Sequence, residues 1–234
     1  MSKGLIVCFT GVDGSGKSTH ARSLMNHLET KGYACKYVWG ASRPILSYVF
    51  LILTRFLGYW QKTQRDAYTD PLQYAPMLLR HKLAKLWFLF LFADFQMRTL
   101  LEMGWSLLAG RLVVCDRYFY DSLMDLEVSC IFSEKYATIL SRTMPKPLIV
   151  FLMDAPPSLT SKRRDFSFDE LSAKRNAFLK LSKIFPFIVV DSSRGLLDNQ
   201  MEIRTITEKR LQGRVRLKRT ARALLQHQLI SDWI

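Results

Sequence analysis

Five short apolar runs punctuate the chain: Leu5–Thr10, Ala34–Trp39, Leu112–Asp116, Leu148–Asp154 and Phe187–Asp191. Near-continuous apolar runs of this length are what strands buried on both faces of a parallel sheet require. Between them the period changes. Ala21, Leu24, Met25 and Leu28 recur at i, i+3, i+4 and i+7, and Lys31-Gly32 stops the pattern, which predicts a helix after the first strand. Ala155-Pro156-Pro157 opens another after the fourth strand, proline being tolerated in a first turn. Strands alternating with helices, with no internal repeat, predict a doubly wound α/β fold: a five-stranded parallel sheet with helices on both faces.

Two stretches break this rhythm. Within residues 40–82, Gly40-Ala41-Ser42-Arg43-Pro44 leads into the apolar run Ile45–Leu53, and Pro71 and Pro76 punctuate a connection farther along. A bilayer-spanning helix needs about 20 apolar residues, so the run is expected to be a buried helix, with membrane-surface contact as the alternative. From about Met77 to Gly110 a long helix is predicted. Its stretch Leu83–Ala93 is apolar on nearly every side, the pattern of a helix buried all round, in a core or at a subunit interface. Asp94 and Arg98, one turn apart, emerge from it either as a local pair or as part of an acceptor pocket.

Composition narrows the class. The 234 residues, 49% of them apolar, suffice for one generous domain and argue against disorder. The expected organisation is a domain over 1–206 with an insertion at about 40–82, then a basic helical segment, 207–234. Between Arg204 and Arg222 eight basic residues stand against Glu208, which accounts for half of the net charge of +14. That segment has a weak apolar stripe (Leu211, Val215) and no interleaved aromatics to stack on bases, so nucleic acid is not expected as a partner. Cys8, Cys35, Cys115 and Cys130 lie far apart with no C-x-x-C pair, and Met1-Ser2-Lys3-Gly4 leads straight into a strand. Reduced thiols and a cytoplasmic setting are expected.

The candidate chemistry begins at the first strand. Gly11-Val12-Asp13-Gly14-Ser15-Gly16-Lys17-Ser18 satisfies the pattern G-x-x-x-x-G-K followed by Ser or Thr at every defined position, between a strand and a helix. Glycines let the backbone approach phosphates closely, and inward N–H groups with the helix N-terminus favour the anion. Lys17 is the expected partner of the β- and γ-phosphates, and Ser18 the hydroxyl offered to Mg²⁺. Asp116 ends the third strand, where strand C-termini line the ligand crevice of such sheets, and Arg117 is the next residue. Farther on, Lys162-Arg163-Arg164-Asp165 is a basic cluster, by itself either a solvated face, as most charge runs are, or a group that closes over the transferring phosphoryl group.

These residues resemble the thymidylate kinases. The resemblance rests on the loop Gly11–Thr19, on Phe90-Leu91-Phe92-Ala93-Asp94, on Val113-Val114-Cys115-Asp116-Arg117-Tyr118, and on the segment from Asp154-Ala155-Pro156-Pro157 to Arg163. It implies a three-layer P-loop kinase fold, ATP with Mg²⁺ as donor, a nucleoside monophosphate acceptor, and a homodimer through the apolar helix. By the same resemblance Gly11, Asp13, Gly14, Ser15, Gly16, Lys17, Ser18, Thr19 and Arg194 bind the nucleotides, Asp13 touching the acceptor sugar and Arg194 lying near the adenine. Lys17, Asp116, Arg117 and Arg163 are the catalytic set, and Ser18 and Asp116 steer the metal. Three departures stand beside it: Phe95 where the family places an arginine, Asp121-Ser122-Leu123-Met124-Asp125-Leu126 with no amide, and Trp39-Gly40-Ala41-Ser42-Arg43-Pro44 in place of a Glu-Pro-Gly-Gly type segment.

The acceptor therefore stays open between dTMP or a related monophosphate and an unrelated small molecule taken by a membrane-associated kinase. A regulatory module switched by ATP is the third reading.

Overall fold

The computed structural model describes residues 4–40, 45–56, 84–128, 134–161 and 167–231. Most of the expected insertion, the beginning of the predicted long helix and Cys130 lie outside the described residues. The chain divides into two compact units, Met1–Ser193 and Arg194–Ile234.

The first unit is built on the expected parallel sheet. Its strands are β1 (Leu5–Gly11), β2 (Cys35–Trp39), β3 (Leu112–Asp116), β4 (Ile149–Asp154) and β5 (Ile188–Asp191), in the order β2-β3-β1-β4-β5 and all parallel. Each coincides with a predicted run to within a residue at either end. β1 is central: Cys8 lies opposite Cys115 on one side and Val150 on the other. Ile6, Val7, Cys8 and Phe9 are buried with Val113, Val114, Cys115, Val150, Phe151, Leu152 and Met153, and the Phe9 and Phe151 rings stack at 5.3 Å. A strand with no solvated face is mostly apolar, because an unpaired polar group there costs kilocalories, and its polar exceptions, Thr10 and Asp116, are hydrogen-bonded.

Helix α1 (Lys17–Thr30) comes after the β1 loop and buries Ala21, Leu24 and Leu28, three of its four stripe residues. Met25 is only half-buried. α2 (Leu46–Phe56) and α3 (Ala84–Thr99) pack on each other, with the Phe50 and Phe90 rings 5.1 Å apart. A π-helical turn, Leu100–Gly104, continues α3 into α4 (Trp105–Leu108). Extra residues in such a turn disturb the α-helical pairing, and the Glu102 carbonyl there accepts a hydrogen bond from Lys36 Nζ at 2.8 Å.

Neither apolar helix is buried all round. α2 buries Ser47 and Phe50 but exposes Val49, Leu53 and Phe56; α3 buries Leu91 and Phe95 but exposes Leu86 and Leu89. Leu100, Leu101, Trp105 and Leu108 are exposed by 71–77%. Apolar composition says which residues would be buried if a neighbour stood there, not that one does. Among the described residues no helix is long and apolar enough to cross a membrane.

Beyond β3, α5 (Phe119–Val128) and α6 (Glu134–Thr143) lead to β4. α7 (Pro157–Thr160) starts at its proline, as expected. α8 (Phe168–Ile184) is capped by Ser167, whose hydroxyl accepts from the Glu170 N–H.

The second unit is one helix, α9 (Leu196–Ser231), which runs through residues 206 and 207 without a break.

Candidate active site

The site assembles where β1 and β3 end side by side. Gly11, Gly14 and Gly16 all take positive φ, a region that side chains other than glycine rarely enter. At Gly11 space is decisive as well, since a Cβ would lie 2.5 Å from the Met153 carbonyl oxygen on β4. Gly16 is the N-cap of α1 and supplies no side-chain cap. The first N–H groups of the helix lack intrahelical partners and point where an anion would sit.

Lys17 closes the loop on itself. Its Nζ donates to the carbonyl oxygens of Gly11 and Val12, both at 2.8 Å, and lies 4.0 Å from Asp13 Oδ1. Burial pushes the ammonium down to about 8, and Arg117 pushes the same way. Ser15 is buried with its Oγ unpartnered among the described residues, while Ser18 and Thr19 lie exposed on the first turn of α1.

The second half of the site is Asp116-Arg117 and the start of α5. Arg117 takes a left-handed backbone, φ 71°, a conformation that costs of order 1–3 kcal/mol for a residue with a Cβ. Neighbours hold it there: its N–H donates to the Phe9 carbonyl at 2.9 Å, and the Gly40 N–H donates to the Asp116 carbonyl at 2.8 Å. Gly40 fits because a Cβ there would overlap the Arg117 carbonyl oxygen.

Arg117 pairs with Asp13 through one terminal nitrogen and faces Asp121 Oδ1 at 3.4 Å through the other. Burial opposes its charge, but Asp121 and Asp13 more than offset that, and it stays cationic. For Asp13 burial likewise pushes upward, yet Arg117 and Lys17 prevail and hold its pKa below the ordinary carboxylate value. Asp121 is the opposite case: burial wins and raises it, although Thr10 Oγ1 donates to Oδ2 at 2.8 Å and the Tyr118 N–H does so at 3.2 Å.

Asp116 is almost fully buried. Its Oδ2 accepts from the Tyr37 hydroxyl at 2.7 Å, and its Oδ1 has no hydrogen-bond partner among the described residues. Burial, then the bond to Asp116, push the Tyr37 phenol up to about 12, so it remains a donor.

The structure thus gathers Asp13, Lys17, Asp116 and Arg117 into one electrostatic cluster next to Gly11–Thr19. Arg163 lies outside the described residues. Arg194 belongs to the second unit, where it pairs with Glu202 at 2.6 Å. Asp94 does not open toward a pocket. It caps α2, accepting from the N–H groups of Ile45, Leu46 and Ser47 at 2.8–3.1 Å and from the Ser47 hydroxyl. Arg98 donates to the Trp39 carbonyl and pairs with Glu102 at 2.9 Å. Three residues that support the site go beyond the sequence expectations: Thr10, Tyr37 and Asp121. Of these only Asp121 left a signal, its i+4 spacing from Arg117; Thr10 and Tyr37 require the strand order.

A glycine loop with a lysine between the central strand and its helix, beside a buried carboxylate at the end of the neighbouring strand, defines an α/β protein of the P-loop kinase fold. No family model matches the chain. Curated proteins do, over most of its length. A probable thymidylate kinase of Methanothermobacter thermautotrophicus is 27% identical over 207 residues, covering 86% of this chain and 93% of the relative. A probable thymidylate kinase of Methanocaldococcus jannaschii is 28% identical, with 83% and 90% covered. The thymidylate kinase of Plasmodium falciparum is 22% identical, with 86% and 88% covered. The chain is a thymidylate kinase-like protein.

Proposed function

We propose that this chain is a nucleotide kinase that transfers the γ-phosphoryl group of ATP to dTMP or a related nucleoside monophosphate. The observation that carries the reading is the pairing of a closed phosphate loop with Asp116, whose Oδ1 is buried and, among the described residues, unclaimed by any donor. A buried carboxylate oxygen without a partner is costly unless something charged completes it. Magnesium fits: it keeps several waters and binds through one or two carboxylates and the substrate's phosphates rather than in an all-protein cage. Ser18 and Asp116 would hold the ion, which would supply neutralisation of the phosphates' charge.

In this reading Gly11, Asp13, Gly14, Ser15, Gly16 and Thr19 shape the nucleotide site, and Lys17 neutralises the phosphate tail. An oxygen of the acceptor's phosphate forms a bond to the γ-phosphorus as the bond to the β,γ-bridging oxygen breaks and ADP departs. The attacking oxygen is already anionic, so no strong base is required, and Arg117 spans the two phosphates as they approach. Roles for Arg163 and Arg194 toward the nucleotides are carried only by the family likeness. A second copy of the chain on the exposed apolar residues of α3 belongs to the same proposal, and sedimentation equilibrium tests it.

The testing experiment is a panel of acceptors with labelled ATP: nucleoside monophosphates, dTMP among them, against non-nucleotide alcohols and sugars. Label is expected in the diphosphate of a pyrimidine monophosphate. Transfer to a non-nucleotide acceptor alone would replace this reading by the second kinase reading, which Phe95, buried where the resemblance implies an arginine, favours. Magnesium-dependent ATP binding with no transfer to any acceptor would leave the regulatory module.

A further inference from the structure

We propose that Tyr37 is a positioning residue: its hydroxyl locks the Asp116 carboxylate so that Oδ1, and not Oδ2, is presented to magnesium. The inference rests on the kinase reading above and concerns how the metal-steering group of that site is aimed.

The terminal torsion of an aspartate is broad and roughly two-fold, so an unrestrained carboxylate presents either oxygen in a range of orientations. Here one oxygen is taken. The Tyr37 hydroxyl donates to Oδ2 at 2.7 Å, and Oδ1, buried in the same carboxylate, has no partner among the described residues. The parallel register explains the reach. Trp39 lies opposite Asp116 and Tyr37 opposite Val114, so Tyr37 stands two residues back along the neighbouring strand. A phenol covers that distance, whereas a serine or threonine hydroxyl at the same position would stop well short.

The ring is itself held, because the Arg22 guanidinium of α1 lies over it, 4.8 Å from its centre. α1 is the helix that begins at the phosphate loop. Tyr37 therefore sits between the element that holds the phosphates and the strand that carries the carboxylate. Outer groups that orient metal-binding side chains in this way typically alter metal affinity by about 10–100-fold when removed.

Tyr37→Phe keeps the ring beneath the Arg22 guanidinium and deletes the hydroxyl, and with it the donor to Asp116 and a hydrogen bond from Arg22. In the full-length chain, calorimetric titration of ATP at a series of magnesium concentrations is expected to show half-saturating magnesium raised about tenfold or more. ATP binding without magnesium should be unchanged, and kcat at saturating magnesium should stay within about twofold of wild type. Asp116→Asn should shift the magnesium dependence further, and adding Tyr37→Phe to it should change nothing more, since the hydroxyl acts through that carboxylate. A tyrosine with only a packing role would lower the melting midpoint and leave the magnesium dependence alone. Identical magnesium dependence in wild type and Tyr37→Phe, or a Tyr37→Phe shift that persists in the Asp116→Asn background, overturns the inference and leaves the kinase reading intact. Unchanged magnesium-dependent ATP binding in Lys17→Ala removes the kinase reading, and the inference with it.

Discussion

Arg117 and Asp13, 104 residues apart in the chain, form an ion pair that joins the phosphate loop to the start of α5. Their partners extend the link, Asp13 lying 4.0 Å from Lys17 and Arg117 3.4 Å from Asp121. The guanidinium is thereby aimed at the loop before any phosphate arrives, and the entropy of holding a long side chain in place is met during folding rather than in catalysis.

Arg117→Ala would leave Asp13 and Asp121 without their shared cation. Removing one partner of a buried pair costs about 3–5 kcal/mol; Arg117 keeps 25% of its side chain exposed, so a loss of about 2–3 kcal/mol in denaturant melts is expected. Phosphoryl transfer should fall by about 10²–10³, the usual effect of deleting one preorganised charge-stabilising donor. Arg117→Lys should recover part of the stability and little of the rate, because an ammonium cannot reproduce the two-pronged geometry.

Lys17 gives the site a pH signature. Its ammonium titrates near 8 in the free chain, against 10.5 in water, chiefly through burial. Bound phosphates favour the cation, so above pH 8 ATP binding must take up a proton, and affinity should fall by up to about tenfold per pH unit. Calorimetry at pH 8.5 in two buffers of different ionisation enthalpy measures that uptake directly; none is expected at pH 6.5. The unfolded chain holds this proton up to 10.5 and the folded chain only to about 8. Taken alone, Lys17 therefore makes the nucleotide-free chain more stable as pH rises through that window.

Gly40→Ala tests the left-handed Arg117. The added Cβ would overlap the Arg117 carbonyl oxygen, and relief requires moving the peptide that aims the guanidinium. We expect a loss of about 1–3 kcal/mol, the range for overpacking a tight site. The rate should fall even at temperatures where the variant is fully folded, as circular dichroism and initial rates together would show.

Asp94→Ala should separate stability from nucleotide binding. It strips the cap from α2, leaving the N–H groups of Ile45, Leu46 and Ser47 without their acceptor, and lost caps cost about 0.5–2 kcal/mol. The melting midpoint should drop, while ATP affinity, measured by calorimetry, should stay within about twofold of wild type.

Only locally encoded features can be read from the residues alone. The phosphate loop is contiguous, and the strand runs are bounded by residues of a different period, so Leu5–Gly11 and Leu112–Asp116 were both legible. Asp94 was ambiguous because its partners at 45–47 lie on another helix, and no spacing along α3 reveals them. Tyr37 was illegible for the same reason, its role depending on β2 lying beside β3. The apolar helices misled in the opposite direction: Leu89 and Val49 are as apolar as Leu91 and Phe50, yet only the latter two meet the core. Periodicity identifies a face that can be buried, and tertiary neighbours decide whether it is.

The π turn at Leu100–Gly104 also governs how the long helix presents its surface. One surplus residue in a helix rotates everything after it by about 100°. That phase slip lets Met103 point into the core while Leu101 and Trp105 stay outside, and it presents the Glu102 carbonyl to Lys36 on β2. Deleting a single residue there would restore unbroken helical pairing, withdraw that acceptor from the edge strand and swing the indole to a different bearing. The surface geometry of α4 is thus set by a count of residues as much as by their identity.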